Sequence, residues 1–401
     1  MQKEGSPNWA AFRFFMRAYA AYLRPLNIEF YSIRQKKHPK TCVCAVFVVN
    51  LQPILICASM RSRSAISLMG PIGLIGLIGR REDAEPQDGR SHTKLSNIIT
   101  NMKNIAFIIN PISGSRETQN AKKRLPKLIM QTLDSTQWLP NIAFTEYAGH
   151  ATELAHQYAR MGFDAVVAVG GDGTVNEVAK GLRGSHTALG IIPMGSGNGF
   201  ARHLGIPVRP NKAIEMLNHS EPIYVDYGLA NDRLFVSTCG TGFDALIADH
   251  FASSNKRGFA TYLQNVIKDA FSYEPQTYKL YLDGQTEECV EHRAFLITFA
   301  NANQWGYEAL IAPKASVQDG KMDIMLMSSH AILGSASLAL RLFAGSIDNS
   351  HFMDTLRAKE VMLIRETNAP FHIDGDPVEM EKDIRIRIVE DGLRVLVEKR
   401  F

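Results

Sequence analysis

The sequence predicts an α/β chain: a parallel sheet covered by helices, followed by a mainly antiparallel domain. Three observations carry this. From Met102 to about residue 225, short continuous apolar runs alternate with segments of helical period, the pattern of doubly buried strands joined by crossover helices. After Asp226 the β-like segments follow one another, separated by turn pairs such as Asp283-Gly284 and Asp319-Gly320, which fits antiparallel connections. In the first part, glycine-rich stretches fall where the apolar runs end.

Each element has its own reason. Ile105–Ile109 is a short apolar run and the first strand. Ala121, Leu125, Leu128, Ile129 and Leu133 recur at helical spacing, with Pro126 kinking or delaying that helix. Ile142–Thr145 reads as the second strand, Ala151–Met161 as a helix stopped by Gly162, and Ala165–Val169 as the third strand. Val175–Leu182 is the third helix and Leu189–Ile192 the fourth strand. Beyond it, Arg233–Ser237, Thr277–Leu282, Ala294–Phe299, Met322–Met327, Glu360–Arg365 and Ile384–Val389 read as strands. Helical interruptions are expected around Ala260–Phe271 and Ala331–Phe343. Periodicity leaves open whether the last segments, Ile384–Val389 and Leu393–Val397, stay with the second domain or return to the first. The division is therefore 102–225 for the α/β domain, 226–380 for the β-rich domain and 381–401 for the closing strands.

The 401 residues carry 44 Lys+Arg and 40 Asp+Glu, a net charge of +4 that is unevenly distributed. Residues 1–101 hold 14 basic and 6 acidic side chains, +8, so the remaining 30 basic and 34 acidic ones give 102–401 a charge of −4. That excludes a strongly basic nucleic-acid binder in the body. Cys239 and Cys289 alone serve the last 344 residues, too few for a disulfide framework and consistent with a reducing, cytoplasmic setting. Residues 1–101 show no domain punctuation. The apolar run Cys42–Met60 is broken by Asn50, Gln52 and Pro53, and Leu68–Gly79 is low-complexity. A membrane anchor, a disordered extension and translated upstream sequence ahead of Met102 compete, and the last is the reading taken.

Three glycine-rich loops lie at successive strand ends, where open parallel sheets bind ligands: Asn110-Pro-Ile-Ser-Gly114, Gly170-Gly-Asp-Gly-Thr-Val-Asn-Glu177 and Pro193-Met-Gly-Ser-Gly-Asn-Gly-Phe-Ala-Arg202. Glycine permits the positive φ angles and close approach by which backbone N–H groups surround a phosphate. Ser113, Thr174, Ser196 and Asn198 add side-chain donors, and the following helices aim their positive ends at the anion. Neither a Walker lysine motif nor a dinucleotide fingerprint opens the first strand-to-helix turn.

Gly170-Gly-Asp-Gly-Thr174 resembles the signature shared by diacylglycerol, sphingosine and NAD kinases and phosphofructokinases. Asn110-Pro-x-Ser-Gly114 and Pro193-x-Gly-Ser-Gly-Asn198 with Ala201-Arg202 narrow it to bacterial lipid kinases with a diacylglycerol-kinase catalytic domain. Ala312-Pro-x-Ala, Gln318-Asp-Gly-Lys-Met-Asp323, Leu342-Phe-x-Gly345 and Ile373-Asp-Gly-Asp376 resemble that family's second-domain landmarks in order. The resemblance covers 102–401 and none of 1–101. It implies an ATP site between an α/β domain of the NAD-kinase/diacylglycerol-kinase type and a β-sandwich-like domain, with a lipid hydroxyl as acceptor. Carried over, Thr145, Gly171, Asp172, Gly173, Thr174, Val175, Asn176, Glu177 and Ser196 would bind ATP, with Asn110, Ser113, Gly114, Gly170, Gly195 and Asn198 beside them. Asp319 would bind Mg²⁺ with the carbonyls of Ser316 and Lys321. The family's proton acceptor is the Glu of Asp-Gly-Glu. Here the position is Asp376, one methylene shorter, which must sit closer or work through a water.

Phosphoryl transfer needs positioning and charge neutralisation. Asp172 stands where a carboxylate can hold Mg²⁺ against the phosphates. Asp374 and Asp376, two apart on a turn, would raise one another's pKa if both reached the cleft. Asp88, Asp283 and Asp391 read as plain Asp-Gly turns, and His150 and His156 as surface helix residues. Phe251–Val266, with Lys256 and Arg257, is either a basic-aromatic lip on anionic lipid or, by the weight of amphipathicity, a core-packing helix. The reading is an ATP:lipid phosphotransferase, peripheral to the membrane, acting on a diacylglycerol or sphingoid-type lipid, with no nucleic-acid partner and a homodimer left open. The rivals are a NAD kinase and a non-catalytic nucleotide- or lipid-binding protein.

Overall fold

The chain divides into two units, Met1–Leu95 and Ser96–Phe401. The computed structural model describes five strands within 29–78, and residues 102–399 except 115, 244, 246–272, 286, 329–334 and 369. Asp88 and the Phe251–Val266 and Ala260–Phe271 segments lie outside the described residues. In the first unit, β1 (Glu29–Ile33), β2 (Cys42–Val49), β3 (Gln52–Ser59), β4 (Ile66–Gly70) and β5 (Gly73–Ile78) form an antiparallel sheet in chain order. Cys42 pairs with Ser59 and Val49 with Gln52, so the apolar run Cys42–Met60 reverses at its polar centre. Strands thus stand where the sequence offered no domain punctuation, and β4–β5 covers most of the low-complexity stretch. Among the described residues, no helix is long and apolar enough to cross a membrane.

The second unit opens with β6 (Lys103–Ile109), α1 (Arg116–Lys122), α2 (Leu125–Thr132), β7 (Trp138–Phe144), α3 (His150–Arg160), β8 (Ala165–Gly170), α4 (Asp172–Leu182), β9 (Ala188–Pro193), α5 (Gly199–His203) and α6 (Pro210–Leu217). Strands β7, β6, β8 and β9 pair in parallel in that order. The second strand thus lies on one side of the first, and the third and fourth on the other. The connections part between β6 and β8, and the crevice outside the carboxyl ends at such a point is where open α/β sheets bind ligands. All of β8 and β9 is buried, which is why they read as unbroken apolar runs. Pro126 does not kink one helix. It sits in the first turn of α2, after a break at Lys123 and Arg124, where its missing N–H costs nothing. Strand β7 starts four residues before the expected Ile142 because Pro140 is tolerated on an edge strand. Helix α4 starts at Asp172, making the glycine motif its first turn.

The β-rich part follows: β10 (Ser220–Ala230), β11 (Arg233–Phe235), β12 (Thr238–Gly242), β13 (Gln276–Leu282), β14 (Val290–Ala300), β15 (Met322–Ser328), α7 (Ser335–Ala344), β16 (Met353–Ala358), β17 (Glu360–Arg365), β18 (Phe371–Ile373), β19 (Asp376–Val378) and β20 (Asp383–Glu398). All pairings among these strands are antiparallel. Tyr278, Phe299, Ile324, Leu363, Phe371 and Ile386 meet in its main core. The last strand does not choose a domain. Its first half pairs with β17, its length runs beside β10, and Val395 pairs in parallel with Leu189 of β9. Two predicted strands are thus one, bulged opposite Val225–Tyr227. Asp226 faces the bulge and accepts the amides of Gly320 and Asp391, both at 2.8 Å.

Candidate active site

Where the α/β half meets the β-rich half, the three glycine loops pack on one another. A Cβ on Gly171 would come within 3.1 Å of Gly195 Cα, and one on Gly114 within 2.6 Å of the Met194 carbonyl oxygen. Only glycine allows that approach, and Gly114, at φ +81°, also needs the left-handed backbone. Asn110 Nδ2 donates to Thr174 Oγ1 at 3.1 Å, joining the first loop to α4. The Asn198 side chain closes the third loop on itself, accepting the Gly195 amide at 2.9 Å and donating to the Gly195 carbonyl at 3.0 Å.

Asp172 ties the second loop to the third. Its Oδ2 accepts the Asn198 amide at 2.8 Å, and the amides of Gly199 and Phe200 also stabilise its charge. It therefore caps α5, which has no cap of its own. Burial, then the nearby Asp374 charge, pushes its pKa up to about 6. The carboxylate assigned to a cation from sequence is thus spent largely on loop amides, with Oδ2 about 3.0 Å from where a Cβ on Gly197 would stand.

The β-rich half contributes the hairpin β18–β19. Its two-residue turn, Asp374-Gly375, has φ values of +50° and +85°, the type I′ geometry that favours an Asp-Gly pair. Asp374 is fully engaged: Oδ2 accepts Asn176 Nδ2 at 2.7 Å and the Val236 amide at 2.9 Å, and Oδ1 accepts the amides of Ser237 at 2.8 Å and Thr238 at 3.1 Å. Asn176 also donates to the Leu234 carbonyl at 2.8 Å. This latch holds α4 against the β-rich half. Asp376 is left free of it. Its Oδ2 lies 3.1 Å from where a Cβ on Gly173 would be, over the first turn of α4. Burial, then the Asp374 charge, raises its pKa, while Lys180 and His372 oppose the rise. Burial also raises that of Asp374. Asn176, Lys180, Arg233, Ile373, Asp376 and Val378 line a cleft of about 160 Å³ here.

Not every residue named from sequence reaches this cleft. Glu177 spends its carboxylate on the amides of Gly149 at 3.0 Å and Ala151 at 3.2 Å, bracing the start of α3. Val175 is buried in the core. Thr145 follows β7, its amide bonded to the Ile109 carbonyl at 2.9 Å, beside the first loop. Ser196 is exposed at the third loop's tip. Ser316, Asp319 and Lys321 form a separate turn, where Asp319 accepts the Lys321 amide at 3.2 Å and pairs with Arg357. Conversely, Lys122, Lys180, Arg233 and His372 went unnoticed. Lys180 was within reach of the sequence, since Gly173, Asn176 and Lys180 are spaced three and four apart, along one helix face.

Comparison with known proteins agrees with this architecture. The diacylglycerol kinase catalytic domain matches residues 104–230, and the YegS C-terminal NAD kinase β-sandwich-like domain matches 237–397. A YegS-like lipid kinase of Chromohalobacter salexigens is 31% identical over 244 residues, spanning 59% of this chain and 77% of that protein. A diacylglycerol kinase of Bacillus subtilis is 30% identical over 280 residues, 69% and 90% of the respective chains. In fold, the chain is similar to the crystal structure of a diacylglycerol kinase from Bacillus anthracis, with a TM-score of 0.58 at 21% identity, covering 74% of this chain and 97% of that one. Two matched domains in sequence, arranged around a glycine-looped cleft, place the chain in the diacylglycerol-kinase-type family of lipid kinases, phosphotransferases with an alcohol as acceptor.

Proposed function

We propose that the protein transfers the terminal phosphoryl group of ATP to the hydroxyl of a diacylglycerol or sphingoid-type lipid, with Asp376 taking the hydroxyl proton. The observation that carries this is the placing of Asp376 over Gly173, at the positive end of α4, beside a partner aspartate already saturated with hydrogen bonds. The loop amides and the N-terminus of α4 receive the phosphates. Asp374 and Asn176 fix the distance between the phosphate loops and the base. Asp376, with its raised pKa, accepts the proton as the new O–P bond forms. In this reading the shorter aspartate serves because Gly173 offers no Cβ to hold it off.

Mg²⁺ belongs to the same reading. At the Ser316–Lys321 turn the donors are all oxygens, as a hard cation requires, and buried Asp323 Oδ2 nearby lacks a hydrogen-bond partner. Asp319 and the carbonyls of Ser316 and Lys321 would hold the ion there in competition with Arg357, while Asp172 would reach a cation beside the phosphates only by giving up loop amides. Bound Mg²⁺ supplies charge neutralisation. The test is labelled phosphate transfer from ATP to a panel of diacylglycerol, sphingoid base and NAD in mixed micelles. Transfer to a lipid that Asp376→Ala abolishes supports the proposal. Transfer to NAD alone, or ATP binding without turnover on any lipid, sinks it.

A further inference from the structure

Lys122, at the end of α1, is 1% exposed, yet its ammonium meets only neutral oxygens. It donates to the carbonyls of Asn110 and Ser113, both at 2.7 Å, and to the Ser113 hydroxyl. Among the described residues no carboxylate pairs with it. From the same helix, Gln119 Nε2 donates to the carbonyls of Ile112 at 2.8 Å and Gly114 at 3.3 Å. Four carbonyls of the first glycine loop therefore turn toward α1. In a trans peptide unit the N–H points opposite to the C=O, so the amides of Ser113 and Gly114 face away from α1, on the loop's other side. Successive N–H groups so arranged make an anion-binding concavity.

We propose that Lys122 is a positioning residue for phosphoryl transfer, holding the Asn110–Gly114 loop in the shape that offers its amides to the donor's phosphates. The inference rests on the nucleotide reading above. All three ammonium hydrogens are committed to the loop, so Lys122 acts through the backbone rather than by touching the phosphate. A buried charge with neutral partners is costly, and an arriving polyphosphate supplies the missing counter-charge. Burial lowers the pKa to about 8, which leaves the side chain mostly cationic at neutral pH. The Ser113 hydroxyl oxygen is part of the same clamp, accepting from the Lys122 ammonium.

The experiment compares ATP and adenosine binding by calorimetry on the full chain, with KM for each substrate, in wild type and Lys122→Met. The expected result is ATP binding weakened tenfold or more, adenosine binding unchanged, a raised KM for ATP and an unchanged KM for the lipid. Purely structural damage would not separate ATP from adenosine. Unchanged ATP affinity in a Lys122→Met protein that melts cooperatively overturns the clamp while leaving the nucleotide reading intact. If that variant does not fold, Gln119→Ala takes its place, with a threefold loss of ATP affinity expected and no loss overturning the clamp. Wild-type protein that binds no ATP overturns both.

Discussion

At the residue scale, three aspartates share one cleft and have different duties. Asp172 caps a helix, Asp374 latches two halves of the molecule, and Asp376, outside both networks, is the proposed proton acceptor. The Asp172 pKa of about 6 lies above its ordinary 3.8. Between those values the folded state binds more protons than the unfolded state, so this group's contribution to stability falls as pH rises toward 6 and stays low above it. Asp172→Asn should therefore melt at the same or a higher temperature than wild type at pH 8, while transfer falls about tenfold, the scale of a lost charge–amide set. A lower melting temperature at pH 8 would show that the ionised form is the stabilising one. Because the cluster is coupled, kcat/KM should fall on the acid side, with a midpoint above the usual carboxylate range, and a profile flat from pH 7 to 4.5 would contradict that assignment. Asp376→Glu should keep or raise activity, as measured by lipid phosphorylation. A collapse there would mean that the proton leaves by another group.

At the element scale, α4 does most of the work, presenting Gly173, Asn176 and Lys180 along one face. Gly173→Ala places a methyl 3.1 Å from Asp376 Oδ2. Alanine suits a helix better than glycine by about 1 kcal/mol, so stability should hold or rise while kcat drops about tenfold. Equal kcat would mean that the position of Asp376 over this turn is unimportant. Asp374→Ala leaves Asn176 and three amides without their acceptor and should cost about 3 kcal/mol in urea unfolding, whereas a loss below 1 kcal/mol would dissolve the latch. The sequence disclosed the loops because close backbone approach permits few residues besides glycine, and it disclosed β8 and β9 because doubly buried strands are unbrokenly apolar. It concealed β12, since Thr-Cys-Gly-Thr-Gly carries no apolar run although every residue is buried. It also concealed the destinations of Glu177 and Lys122, because a carboxylate capping another helix, or an ammonium holding a loop, is defined by partners many residues away. Asp376 was readable by position, but the vacancy over Gly173 that receives it was not.

On the scale of the whole molecule, the site belongs to Ser96–Phe401, within which all the motifs lie. A chain cut to residues 96–401 should fold cooperatively and keep the lipid-phosphorylating activity of the full chain within about threefold. Loss of activity in a folded fragment would assign the first unit a part in the reaction. The two matched domains are not separable in the same way, because Asp374 and Asn176 join them beneath the cleft and β20 is shared between them. That strand has a consequence for synthesis. β9 emerges from the ribosome about two hundred residues before Val395, its parallel neighbour. Domains tend to fold as they emerge, but here the earlier half leaves one sheet edge unpaired until translation is nearly over. Pairings so distant in sequence form slowly. A nascent chain stalled before β20 should therefore be open to protease along that edge, and catalytic competence should appear only once translation is complete.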